Sequence, residues 1–191
     1  MTEGQKQWSR ESLDGYFASM SYAQFEARGS LRLRYFDQAG TLIGKPHSPK
    51  FSWQNTTVSG AQGTFTFKSY GIFDANDREI VRVDQDSNPA LVRLGDGSEG
   101  SLHISNESWG AETTLVVLPQ NSDQALIVAR WPPAPPVSRW LKTAGDWKRV
   151  CEIALSRALV PRIPSLALVA WADHVLSVFS DGFTPESLSA Y

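Results

Sequence analysis

From residue 22 to residue 131 the chain repeats one unit, a short apolar run of two-residue period followed by turn-forming residues. Leu31, Leu33 and Tyr35 alternate with Arg32, Arg34 and Phe36, the pattern of a strand with one buried face. Asp37-Gln38-Ala39-Gly40 then turns the chain and Thr41-Leu42-Ile43 returns, a hairpin with a short Gly-containing loop. Phe51 and Trp53, then Phe65 and Phe67, fit paired strands on either side of Gly60-Ala61-Gln62-Gly63. Asp74-Ala75-Asn76-Asp77 ends another strand, and segments 79–83, 90–94, 102–105, 113–118 and 125–131 supply the rest. About eight to ten strands at this spacing predict an antiparallel sandwich or a small barrel. No helix-length apolar repeat lies between them, which argues against a βαβ sheet.

Pro132-Pro133-Ala134-Pro135-Pro136 ends the β region, because prolines donate no ladder hydrogen bonds and favour an extended segment. Beyond it the period changes. Asp146 suits the N-cap of a helix over 147–159, with Trp147, Val150, Cys151, Ala154, Leu155, Ala158 and Leu159 at helical spacing. Pro161 and Pro164 bracket a break. Ser165 then suits the cap of a second helix to about Ser180, and Gly182 its stop. That second helix is apolar nearly all round, with Asp173, His174 and Ser177 on one side, so something must bury it. The expected organisation is an N-terminal segment (1–21, partly helical or disordered), a β-sandwich or barrel domain (22–131), a Pro-rich linker (132–137), a C-terminal helical pair (138–183) and a tail (184–191).

Composition bounds the function classes. With 18 Lys+Arg against 20 Asp+Glu the net charge is -2, which argues against a nucleic-acid partner. At 191 residues the chain can bury roughly 70% of its unfolded surface without a disulfide or a metal. Its one cysteine, Cys151, supports neither a disulfide framework nor a cysteine-based zinc site. The first residues carry no apolar signal core, and the apolar stretch 163–179 is interrupted by Asp173 and His174. A cytoplasmic location is expected, with a signal-independent export route as the alternative.

Few residues form a pattern that chemistry requires. Gly95-Asp96-Gly97-Ser98-Glu99-Gly100 spells G-x-G-x-x-G, but it precedes the strand-like Ser101-Leu102-His103-Ile104 and carries two acids that repel phosphate. It reads as a hairpin turn, and no cofactor is expected. Asp84, Asp86 and Asn88 match the start of a calcium loop, yet Pro89 stands where the turn needs glycine and Gly95 where the bidentate Glu belongs. They remain weak calcium candidates. His47, His103 and His174 show no zinc-ligand spacing. The weak catalytic candidates are His103, on a strand, and the Asp173-His174 pair, whose burial in an apolar helix calls for hydrogen-bond partners.

Charge and tryptophan are unevenly spread. Residues 72–112 hold nine acids and three arginines, whereas residues 138–162 hold six basic and two acidic groups. The basic segment could dock on the acidic β-turns or face anionic lipid. Trp131, Trp140 and Trp147 cluster beside it, a composition shared by membrane-interface anchors and by apolar lids over a barrel end. Arg130 to Pro136 also carries a basic-x-x-Pro-x-x-Pro spacing that fits a stiff linker as well as an SH3 ligand.

The stretch from Ser30 to Gly44 resembles hairpins of many bacterial β-barrel proteins. A β-domain followed by an apolar C-terminal helix is similar to the tubby-like barrels with a central helix, although the Pro-rich interruption departs from their pattern. Neither resemblance brings a functional motif, so no site residue is carried over. The function expected from the residues is non-catalytic binding through Trp140, Trp147, Lys148, Arg149, Arg157 and Trp171. The partner would be another protein, a second copy in a homo-oligomer, or an anionic membrane. The alternatives are a membrane-active, pore-forming or toxin-like protein, and a small-molecule enzyme or carrier with a barrel cavity.

Overall fold

The computed structural model describes residues 22–28, 34–47, 56–84, 87, 89–106, 112–131 and 150–180. The strands are β1 (Tyr22–Arg28), β2 (Arg34–Asp37), β3 (Leu42–His47), β4 (Thr57–Gly60), β5 (Gly63–Lys68) and β6 (Gly71–Asp74). They continue as β7 (Glu79–Asp84), β8 (Leu91–Leu94), β9 (Glu99–Asn106), β10 (Thr113–Leu118), β11 (Ile127–Trp131) and β12 (Val150–Ser156), followed by the helix α1 (Ser165–Ser180). Every strand pairs antiparallel with its sequence neighbours, and β1 pairs with β12 from Tyr22↔Ser156 to Arg28↔Val150, so the sheet closes into a barrel.

The hairpin turns form where short polar side chains can replace backbone partners. The Asp37 carboxylate accepts from the Thr41 amide at 2.8 Å. Asp74 accepts from the Asn76 and Arg78 amides at 2.8 and 2.9 Å, and Asp96 from the Ser98 amide at 2.9 Å. The G-x-G-x-x-G stretch is accordingly the β8–β9 turn, with Gly97 at φ 87° donating to the Leu94 carbonyl.

Alternation then sorts side chains between the two faces. Tyr35, Val58, Phe65, Phe67, Val81 and Leu115 point inward and are buried. Arg28, Lys45, Lys68, Arg82 and Arg93 occupy alternate, exposed positions. That apolar-in, charged-out order is the reverse of a lipid-embedded barrel. A smaller buried cluster (Tyr22, Val116, Leu118, Ala125, Val128 and Ala154) occupies the outward positions of β1 and β10–β12, where the Tyr22 hydroxyl donates to the Ala125 carbonyl at 2.8 Å.

The barrel encloses α1. Leu166 to Ala170 are 0% exposed, and Trp171, Ala172 and Leu176 are buried with them. The helix contacts strands from β1 round to β12, and its sixteen residues span roughly 24 Å, about the length of a seven-residue strand. Its N-terminus is held by Gln62 of the β4–β5 turn, whose side-chain oxygen accepts from the Leu166 amide (2.8 Å) and the Ser165 hydroxyl (3.1 Å). Ser165, the expected cap, therefore starts the helix as part of a cap that another turn completes.

Two expectations are corrected. The barrel is a closed one of twelve strands, more than the eight to ten counted. Of the expected helical pair the second helix is present among the described residues, whereas the described part of 147–159 is strand β12 and the turn after it. Cys151, Ile153 and Leu155 point inward on the two-residue period, and Ala154 is also buried on the outer side. Pairing β12 with both β1 and β11 satisfies its backbone on two edges, which outweighs the helix propensity of Glu, Ala and Leu. The N-terminal segment, the Pro-rich linker and the tail lie outside the described residues, as do Phe51 and Trp53.

Glycine is required where the helix approaches the wall. A methyl group on Gly60 would meet the Ile43 carbonyl oxygen and the Leu166 side chain, and one on Gly44 would meet Leu166 at 2.5 Å. Gly60→Ala should therefore lower unfolding free energy by about 1–3 kcal/mol, measured by denaturant unfolding. Ala at Gly97, where nothing lies within 4 Å, should cost less, its penalty coming from backbone conformation alone.

Candidate functional site

Two polar groupings among the described residues have the makings of a site, one inside the barrel and one on its wall. The interior one centres on Asp173, buried at 2% exposure on α1. The Tyr35 hydroxyl donates to one carboxylate oxygen and the Trp131 indole N–H to the other, each at 3.3 Å. Burial first, and then the Asp173 carboxylate, raise the Tyr35 pKa well above its ordinary value, so the phenol keeps its proton and remains a donor. Tyr35 comes from β2 and Trp131 from β11, strands separated by β1 and β12. Asp173 thus ties the helix to two separate parts of the wall.

His174, the next residue, turns elsewhere. Its ring lies 4.9 Å from that of Phe67, tilted by 52°. Burial lowers its pKa to about 4, so it is neutral at pH 7. Asp173 accepts structural hydrogen bonds, and His174 packs on an aromatic ring.

His103 lies on the outer face. Its strand neighbours Leu102 and Ile104 face the core, so alternation sends His103 outward, paired across the ladder with Val116. With Ser101, Leu118 and the loop 119–123 it lines an open depression of about 360 Å³.

The remaining sequence candidates are scattered. Trp171 is 1% exposed inside the barrel, so it is core and not surface. Arg157 is exposed in the turn after β12. Trp140, Trp147, Lys148 and Arg149 lie outside the described residues. The described part of that segment, 150–156, is strand, and Arg157 follows it in a turn, so Arg157 is not on a helical face. Asp84 is engaged by Arg93 at 3.3 Å, while Asp86 and Asn88 lie outside the described residues. No group of three or more metal-ligating side chains occurs among the described residues. One basic-on-acidic contact of the kind expected is present, Arg162 on Asp96 of the β8–β9 turn at 3.2 Å. The hub formed by Tyr35, Trp131 and Asp173 is the feature that sequence reasoning missed. Its only signal was the demand of a buried Asp for donors.

No protein-family model matches the chain, and no curated protein matches it. The X-ray structure of a protein from Arabidopsis thaliana is similar to it with 11% identity and a TM-score of 0.37, over 88% of this chain and 96% of that one. No helix among the described residues is long and apolar enough to cross a membrane.

Two outcomes follow from the interior geometry. Asp173→Leu removes the acceptor that Tyr35 and Trp131 share and should destabilise by about 2–4 kcal/mol, whereas Tyr35→Phe should cost about 1 kcal/mol, both read by denaturant unfolding. The second concerns pH. A histidine whose folded pKa lies below its unfolded value of about 6.5 binds a proton more readily when unfolded. Its contribution to stability is complete above that value and is lost as pH falls through the folded pKa near 4. The melting temperature of the wild type should thus fall more steeply than that of His174→Phe between pH 6.5 and 4, and parallel curves would contradict this.

Proposed function

We propose that the protein is a non-catalytic binding protein in which the barrel is a rigid support. The contact element is the Trp- and base-rich segment between β11 and β12, with Trp140, Trp147, Lys148 and Arg149. The observation that carries this reading is the enclosure of α1. The apolar helix that could have served as a docking surface is surrounded by its own barrel, with residues 166–170 at 0% exposure. What remains of the binding chemistry is a tryptophan- and cation-containing stretch that leaves the wall at Trp131 and rejoins it at Val150. Indole rings with Lys and Arg suit a protein partner, a second copy of the chain or an anionic membrane surface.

The same observation ranks the alternatives lower. A pore-forming action would need α1 to leave the barrel, exposing its apolar surface and breaking both hydrogen bonds to Asp173. An enzyme or carrier with a barrel cavity would need lumen space that α1 occupies.

The test is light scattering of the purified chain, with and without phosphatidylserine vesicles, beside a W140A/W147A/K148E/R149E variant. The expected result is self-association or vesicle capture by the wild type that weakens with salt and is lost in the variant. A quantitative pull-down comparing the two proteins covers a protein partner. A wild-type monomer that ignores vesicles and retains no protein beyond those retained by the variant would overturn the reading.

A further inference from the structure

The depression on the outer wall carries an inference independent of the segment between β11 and β12. Ser101 and His103 are alternate outward residues of β9, and Leu118 faces Ser101 directly across the β9–β10 ladder. The β10–β11 connection then rises beside them and contributes Pro119, Gln120, Asn121, Ser122 and Asp123. On the same outer face lies the apolar cluster to which Leu118 belongs, in which Val116 and Val128 are 0% exposed. Leu118 is thereby held against packed neighbours, and the loop is braced where the Gln124 amide donates to the Ser122 hydroxyl at 3.1 Å.

The chemistry of the lining selects among ligand classes. Two side-chain amides, two hydroxyls and a carboxylate offer donors and acceptors side by side, which matches adjacent hydroxyl groups that each donate and accept. The Pro119 ring, the Leu118 side chain and the imidazole of His103 supply apolar surface for the C–H face of a sugar ring. No Lys or Arg is among the described residues that line the depression, whereas hydroxyls and amides predominate, so a neutral ligand is favoured over phosphate or carboxylate. His103 and Asp123 belong to no group of three metal-ligating side chains. At about 360 Å³ the volume falls at the lower end of small-molecule sites, the size for a mono- or disaccharide.

We propose that this depression is a saccharide-binding site, taking a neutral sugar through its vicinal hydroxyls. The Asp123 carboxylate and the Asn121 amide hold those hydroxyls, and the Pro119–His103 surface carries the ring. The experiment is a titration of the full chain, followed by amide and imidazole NMR shifts. The probes are methyl glycosides of glucose, galactose, mannose and N-acetylglucosamine, together with maltose and cellobiose, and inorganic phosphate is the anionic control. At least one sugar should give saturable shifts confined to Ser101, His103 and residues 119–123, while phosphate gives none. Asp123→Ala should weaken that sugar about tenfold, and Asn121→Ala should weaken it to a smaller degree. Both substitutions lie in an exposed turn, and unchanged melting temperatures would show that the fold is intact. Absence of saturable shifts with every sugar, equal shifts with phosphate, or undiminished binding by Asp123→Ala would overturn the proposal.

Discussion

The width of the barrel is the constraint on which the rest depends. A barrel's diameter grows with strand number, and about eight strands is the size that inward side chains alone can fill. Twelve strands leave a lumen that side chains cannot close, and an empty apolar lumen would forfeit contacts along its whole lining. A helix that is apolar on all sides poses the complementary problem, since it has no face to turn to water. Here each solves the other's difficulty. Leu166, Leu168, Trp171 and Leu176 occupy the axis, and the wall presents Val58, Ile72, Leu115, Ile127 and Ile153 towards them. Gly44 and Gly60 indent the wall where Leu166 presses closest. The eight-residue connection from β12 to α1 (157–164) delivers the filler directly after the strand that closes the sheet.

An all-apolar helix in an apolar tube has little to fix its rotation. Asp173 supplies that information. Its two acceptor oxygens meet donors from β2 and β11, and a rotated or slipped helix would carry the carboxylate away from both. Gln62 does the same for axial position, because it accepts from the first turn of α1. The arrangement also carries a cost, since the buried Trp171 indole N–H has no hydrogen-bond acceptor among the described residues. That loss, about 1–3 kcal/mol for a buried donor, has to be exceeded by the packing of the indole ring.

The elements legible in the sequence are those whose period and punctuation agree. The β2–β3 turn, the β8–β9 turn and strand β10 fall where Asp, Gly and alternation place them. Helix α1 falls between its expected ends, because Pro164 and Ser165 mark its start and its apolar content exceeds a strand's length. The strands least visible were the pair that closes the barrel. In β1 the alternation is present, with Ala23, Phe25 and Ala27 against Gln24, Glu26 and Arg28, but alanine is a faint marker of an inward face. In β12 the run Val150–Ser156 satisfies both periods. Cys151, Ile153 and Leu155 line up at a spacing of two, while Cys151 and Leu155 also sit four apart on a helix. Only the gap between β1 and β11 decides between them, and that gap is a property of the whole sheet.

Site residues were less legible than strands for a related reason. A histidine or an acid in a strand owes its surroundings to parity and to which edge pairs with which. Moving the inward set by one residue would turn His103 from the outer wall to the axis. The sequence does carry the parity of β9, because Leu102 and Ile104 flank His103 and must face the core, so its outward position followed from information already present. The partners of Asp173 did not. Tyr35 and Trp131 stand 138 and 42 residues away along the chain, and they meet the carboxylate only once the sheet has closed around the helix. Closure therefore makes Asp173 a structural acceptor inside the barrel, whereas parity leaves His103 and the β10–β11 loop on the wall, outside the lumen that most of the apolar residues serve to fill.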